Sequence, residues 1–414
     1  MKEMGSLGPF EVLQRRSNST SPRNRLVKRV LLAILLIVFG SLSVRIFSAP
    51  PLSGFASPHS RSSTTSITPP LFETRFASHG KTEMVHSPAV VEIAGNRLQG
   101  FWYGGTSEHA KDVAIYTSVF DPQKGLWSPE ISLITAESTQ KSLHRYVKKL
   151  GNVVALRDQN NQLWLFYVSV SVGRWSGSAI NLMISQDDGE SWSPSRRLIT
   201  SPLLNLATLV KGPPVLLEDG TIGLPVYHEF LGRFGEFVRL DRAGRVVQKT
   251  RLSRGSASLQ PIIIPDTNRK ALGLMRYGGP APRRILSVET TDGGFHWSRP
   301  VKTDLRNPGA AIAGTRLQNG DLLLVFNDSE NARDDLSLAY RPSGDKAWRI
   351  IYRFEFEKET TLLGGRTRVF SYPYLVRTQN GDFHLLYTWY RTHIKHIQFN
   401  QAWLEQRLRS PSRL

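Results

Sequence analysis

Cysteine is absent from the 414 residues. A disulfide framework, a thiol nucleophile and any Cys-ligated metal site are thereby excluded. Carboxylates are also in short supply, 34 Asp and Glu against 53 Lys and Arg, which leaves a formal charge of +19. After residue 80 amphipathic helical stretches are nearly missing, and QAWLEQRL near the C-terminus is the one modest candidate. Apolar material is not lacking. With 40% hydrophobic and 10% aromatic residues the chain can bury a substantial core, so wholesale disorder is excluded.

The positive charge is uneven. Residues 1–63 carry Lys2, Arg15, Arg16, Arg23, Arg25, Lys28, Arg29, Arg45 and Arg61 against only Glu3 and Glu11. Directly after Lys28 and Arg29 comes the uncharged run VLLAILLIVFGSLSV, residues 30–44, extended past Arg45 by Ile46 and Phe47. A spanning helix needs roughly 20 apolar residues and a signal-peptide core about 7 to 15, so the run falls between them. The reading adopted is a basic cytoplasmic segment over 1–29 and an uncleaved transmembrane signal-anchor over 30–48. The positive-inside rule then puts the remainder across the membrane, on the extracytoplasmic side. A Ser/Pro-rich linker is expected over 49–80 and a basic tail over 403–414. No helix-turn-helix, RNP-type or zinc-finger pattern is present, so nucleic acid is not an expected partner. An acidic glycan suits the charge better, and a monomer is expected.

A short pattern recurs six times: a turn with Asn, Gly or Asp, then alternating apolar residues ending in an aromatic or polar cluster. The copies are GNRLQGFWYGG from Gly95, QNNQLWLFYVS from Gln159, EDGTIGLPVYHE from Glu218, TNRKALGLMRYGG from Thr267, QNGDLLLVFND from Gln318 and QNGDFHLLYTWYR from Gln379. Each follows a short apolar strand such as PAVVEI at Pro88 or PYLVRT at Pro373, and two strands across such a turn make a hairpin. Two units add S-x-D-x-G-x-S-W or its Thr variant, through Ser185, Asp187, Gly189, Ser191 and Trp192, and through Thr290, Asp292, Gly294, His296 and Trp297. There the Asp can accept backbone N–H groups across a tight turn, Gly can take positive φ and Trp can cover the hairpin, so these residues are structural. Six units of roughly 50–60 residues match one four-stranded blade each. The expected fold is all-β, a six-bladed propeller over 81–402 preceded by a single N-terminal transmembrane helix.

These Asp-box units and the count of six make the chain resemble the sialidase superfamily, specifically its bacterial sialidase-like domains with BNR repeats, over about residues 82–400. The resemblance implies an arginine triad that holds a substrate carboxylate, a Tyr nucleophile paired with a Glu, and an Asp acid/base. Arg333 in NARDDL and Arg276 in LMRYGG match two of the arginines, and Tyr372 in FSYPYL matches the nucleophile. At the position of the first arginine stands His86, and where the glutamate partner would fall stands Gln260. The loop after the first hairpin offers Glu108 and Asp112 for the acid.

Propeller topology adds its own selection. Residues just before each innermost strand and just after each second strand converge on one mouth. That rule brings in Lys211 and Asn307 beside His86, Gln260 and Tyr372, and Arg391 and Glu229 beside Arg276 and Arg333. The expected catalytic set is Tyr372, Glu229, Asp112 and Glu108; the expected binding set is Arg276, Arg333, His86, Gln260, Lys211, Asn307 and Arg391. Such a ring suits an anionic sugar, because Arg forks hold carboxylates at two points. The chemistry calls for no metal or cofactor. The leading expectation is a membrane-anchored exo-glycosidase that removes a terminal acidic sugar with retention. A glycan-binding propeller without turnover, and a uronate-specific hydrolase or lyase, stand as alternatives.

Overall fold

The computed structural model describes residues 26–37, 53–56, 68–108, 110–201, 205–230, 232–255, 257–357 and 369–409. Two compact units divide after Leu52. In the first, a helix occupies 26–37. Among the described residues no helix is long and apolar enough to cross a membrane. The anchor expected over 30–48 is therefore not supported as a spanning helix, and its second half lies outside the described residues.

The second unit, from Ser53, holds six antiparallel sheets, one for each sequence repeat. Blade 1 starts with Met84–Glu92 and Leu98–Gly105, blade 2 with Lys149–Arg157 and Leu163–Val170, and blade 4 with Ser258–Pro265 and Ala271–Tyr277. Blade 3 splits its inner strand into Thr208–Val210 and Val215–Leu216, both paired with Ile222–His228. Blade 5 begins with Ala313–Arg316 and Leu322–Phe326, blade 6 with Phe370–Arg377 and Phe383–Trp389. Turn glycines carry the hairpins as the repeat predicts: Gly220, Gly320 and Gly381 have φ of +77°, +90° and +95°. Neighbouring blades touch all the way round, inner strand to inner strand except between blades 3 and 4, where Ser258–Pro265 meets Ile222–His228 and Phe234–Leu240, and this closes the ring.

Closure uses residues that composition had assigned to the linker. Phe72–Phe76 pairs antiparallel with His393–Phe399 as the outermost strand of blade 6, with Phe72 opposite Phe399 and Phe76 opposite Lys395. The last blade is thus made from both ends of the ring. Farther upstream, Ser53–Ala56 docks against the hairpin turns of blades 3 and 4. Phe55 N–H donates to the Asn268 carbonyl at 2.8 Å, Ala56 N–H to Leu216 at 3.0 Å, and Glu218 N–H to Gly54 at 3.1 Å. Phe55 is fully buried among Leu217, Phe237, Ala271 and Val288. A Cβ on Gly54 would stand 2.0 Å from the Asn268 oxygen, so this contact requires glycine.

The expected basic tail is also partly folded. Gln401–Arg409 is a helix whose Trp403 and Leu404 are buried, with Trp403 stacked on Phe72 at 4.7 Å. Sequence periodicity missed a second short helix, Ala136–Leu143, begun by a reciprocal cap between Thr135 and Ser138. Its Thr139 hydroxyl is 3.0 Å from that of Tyr167. The Asp boxes are local structural devices, as their spacing implies. Asp187 accepts from the Ser185 hydroxyl at 2.7 Å and from Ser191 N–H at 2.9 Å, while Trp192 Nε1 donates to the Gly189 carbonyl at 3.1 Å. Asp292 accepts from Thr290 at 2.8 Å and from His296 N–H at 3.0 Å.

Candidate functional site

The inner strands are irregular where they begin, and that irregularity builds the site. In blades 1, 2, 4 and 6 the pairing with the second strand slips between His86 and Ala89, Leu150 and Val153, Leu259 and Ile262, and Ser371 and Tyr374. In three of these bulges a non-glycine residue before proline takes positive φ: Ser87 at +54°, Gln260 at +51° and Tyr372 at +58°. Such conformations cost about 1–3 kcal/mol each and persist where the surroundings over-determine them. A bulge re-aims a side chain that a regular strand would place on a sheet face. The repeated polar-Pro step ahead of the apolar strand is its trace in the sequence.

At this mouth the Gln260 amide bridges two phenols. Its Nε2 donates to the Tyr372 hydroxyl at 3.2 Å and to the Tyr227 hydroxyl at 3.3 Å. Asn152 Nδ2 donates to Tyr227 at 3.1 Å and to the Val210 carbonyl at 3.0 Å. Blades 2, 3, 4 and 6 are tied together by this chain. Beneath it the His86 ring lies 4.2 Å from that of Tyr372, with Nδ1 3.0 Å from the Thr388 hydroxyl. Burial drives the His86 pKa well below its ordinary value, and the charges of Arg391, Arg333 and Lys211 push the same way, so the imidazole is neutral.

Two cavities open above. The first, about 400 Å³, is lined by Tyr372, Tyr227, Gln260, Glu229, Glu108 and Arg276, together with Arg233, Arg283 and Trp175 among others. The second, about 630 Å³, is walled by Arg333, Arg391, Glu108, Asn331, Tyr390 and Thr106 among others. Glu108 faces both, and its carboxylate receives Arg391 Nη1 at 2.6 Å. Arg333 Nη2 donates to the Gly309 carbonyl at 3.4 Å, and its guanidinium lies 5.9 Å from the Tyr372 ring. Burial lowers the Arg333 pKa, and the charges of Arg276 and Arg391 add to that, so three guanidiniums from blades 4, 5 and 6 share one field. In Arg391 burial opposes the charge, but the Glu108 ion pair outweighs it and the pKa is raised. Arg276 Nε and Gln260 Oε1 are buried here without a hydrogen-bond partner.

The expected residues divide into three groups. Tyr372, Glu229, Glu108, Arg276 and Gln260 line the first cavity, and Arg333 and Arg391 the second. His86 and Lys211 are buried under Tyr372 and on neither wall. Asp112 and Asn307 depart from expectation. The Asp112 carboxylate receives the Thr106 N–H at 2.9 Å and its hydroxyl at 3.0 Å, so it closes its own loop, and of this pair Glu108 is the one on the cavity walls. Asn307 is fully buried and its Oδ1 receives Ala310 N–H at 2.8 Å, which shapes the Pro308–Gly309 wall from behind. Sequence reasoning missed Tyr227 and Asn152. Period-two alternation could have found Tyr227, which shares a strand face with Glu229 while His228 turns away to stack on Phe234 at 4.8 Å. Among the described residues no group of three His, Asp or Glu could hold a metal ion.

The fold is a six-bladed β-propeller whose central mouth gathers arginines, carboxyls and a tyrosine. Residues 96–385, well over half of the chain, match the BNR repeat-like domain family, and the chain belongs to that family. No curated protein matches the sequence. Solved structures do match in fold. The Hadza microbial sialidase Hz136 superposes with a TM-score of 0.64 at 16% identity, over 79% of this chain and 68% of that one. The NanB sialidase of Streptococcus pneumoniae gives 0.62 at 11% identity, over 78% and 69%. The intramolecular trans-sialidase of Ruminococcus gnavus, in complex with oseltamivir carboxylate, gives 0.62 at 13%, over 80% and 97%.

Proposed function

We propose that this chain is an exo-glycosidase that releases a terminal acidic sugar, sialic acid or a relative, with retention of configuration. The observation that carries the reading is the group of Arg276, Arg333 and Arg391 around a bulge-mounted Tyr372. Three cations in a partly desolvated mouth bind a carboxylate far better than a neutral sugar. A phenol is the fitting nucleophile beside such a substrate, because an anionic nucleophile would be repelled by the sugar's own carboxylate.

In this scheme the Tyr372 oxygen bonds to the anomeric carbon as the bond to the leaving oxygen breaks. Glu229, on the same wall, takes the phenolic proton, and Glu108 gives its proton to the leaving oxygen. The substrate carboxylate engages Arg391 in place of Glu108, and Glu108, released from that ion pair, takes up a proton from water before it passes one to the leaving oxygen. Water then cleaves the sugar–tyrosine bond, with the protons returning along the same groups. We further propose that the apolar run over 30–44, with its basic flank, holds the propeller at the outer side of a membrane.

The test is a panel of fluorogenic sialosides and uronides on the protein and on Tyr372→Phe. Release by the parent and a loss on the order of 10³-fold or more in the variant support the scheme; full activity in the variant ends it. The Gln260 amide on the Tyr372 hydroxyl, where a carboxylate would be a stronger base, favours a second reading, a glycan-binding propeller. Binding without release would establish that one, and an unsaturated product absorbing in the near ultraviolet would identify a lyase.

A further inference from the structure

Lys211 takes no part in the scheme above, yet it is the most unusual charge in the ring. It sits where the inner strand of blade 3 breaks, between Val210 and a Gly212–Pro213–Pro214 run. Gly212 lets that break press against blade 4, where a Cβ would meet the Pro261 oxygen at 2.1 Å. The side chain is only 2% exposed, and Nζ crosses to blade 6 to donate to the Pro373 carbonyl at 3.1 Å. Its ammonium lies 5.6 Å from the Tyr372 ring and 5.2 Å from that of Tyr374. Burial alone perturbs it and lowers its pKa to about 7; no carboxylate opposes the effect. The other ionisable groups about it are His86, which feels its charge, and Arg333 and Arg391, which act on the same imidazole.

A buried cation without a counter-ion is costly unless negative charge arrives beside it. The Tyr374 hydroxyl is engaged with the Ala155 carbonyl at 3.1 Å. Tyr372 is the neighbour whose oxygen changes charge in the proposed reaction. We propose that Lys211 is the positioning residue of Tyr372: it fixes the Tyr372–Pro373 bulge through the Pro373 carbonyl and supplies the positive field in which the phenol oxygen reacts. A buried lysine then does from below part of what a carboxylate partner would do from the side. This inference rests on Tyr372 as nucleophile.

The test uses Lys211→Met and Lys211→Arg in the full chain, with 2,3-difluoro-N-acetylneuraminic acid as the trapping probe and mass spectrometry of Tyr372 as readout. Lys211→Met should slow labelling and kcat by roughly 100-fold, the scale of one preorganised electrostatic group, with KM little changed. Lys211→Arg should recover part of both rates. Thermal stability of the Met variant should stay level or rise, because an uncompensated buried charge has been replaced by a side chain of similar volume. The folded-state pKa lies below the unfolded value, so parental stability should increase as pH rises from about 7 toward 10, and the Met variant should lose that slope. Equal labelling rates in parent and Lys211→Met overturn the proposal. A fall in stability with Lys211→Arg unable to restore either rate does the same, since it marks a packing role. Absence of labelling in the parent would instead strike at Tyr372 as nucleophile.

Discussion

The Asp-box corners and the central mouth use charge in opposite ways. At the corners each carboxylate is satisfied within one turn. Hydrogen bonds from Ser191 and Ser185 hold the Asp187 pKa at about 2, and at Asp292 burial pushes upward but bonds from His296, Thr290 and Phe295 prevail, again giving about 2. At the mouth Arg276, Gln260 and Lys211 keep donors, acceptors or charge uncompensated, on backbone held in the left-handed region at Gln260 and Tyr372. Groups satisfied within one turn stabilise the blades, whereas the unpaired groups at the mouth are open to a ligand under the proposed function. Changes at the mouth should therefore cost function and spare stability, and changes at the periphery should do the reverse.

The largest effect is expected for Phe55→Ala, which empties a closed apolar site and should cost about 3–5 kcal/mol by denaturant unfolding. Turnover per folded molecule should be unchanged, since the docked segment meets the hairpin turns and not the mouth. A loss of turnover at full stability would break the contrast. Next comes Arg333→Ala. Removal of one charged hydrogen-bonding group from the proposed carboxylate site should raise KM by roughly 10- to 100-fold while the melting temperature holds or increases. Unfolding of that variant would mean the arginine supports the blade. Asp292→Ala should lower the melting temperature modestly and leave kcat alone, measured on the same fluorogenic substrate. The smallest effect is in acid. Both box carboxylates titrate below their unfolded values, so their stabilisation is complete above about pH 4 and fades as pH falls toward about 2. Asp187→Asn should flatten that limb of the stability curve, and an unchanged curve would mean that the box bonds survive protonation.

Much of the ring was legible because its causes are local. Alternation, Asn-Gly and Asp-Gly turns and the Asp-box spacing each act within about ten residues, and they yielded the blade count. Tyr372, Gln260, Arg276 and Glu108 were picked out by the resemblance and by the rule that residues before first strands and after second strands converge in a propeller, and all four line the first cavity. The same rule named Asn307 and Asp112, which line neither cavity and bond within their own loops, because position along the chain does not say which way a polar group turns. Phe72–Phe76 was hidden in Ser/Thr/Pro-rich surroundings, since a single edge strand has a partner more than 300 residues away and no local signature. Gly54–Phe55 was equally silent, as four residues carry no period.

The sequence by itself determined the repeat, the hairpins and the polar-Pro steps, because backbone sterics and alternation are properties of neighbours. Tertiary structure alone decided that Arg391 pairs with Glu108, that Glu108 spans two cavities, and that Lys211 lies buried beside Tyr372. Those relations join separate blades, and distance and desolvation, which set the strength of every charge there, exist only once the ring has closed.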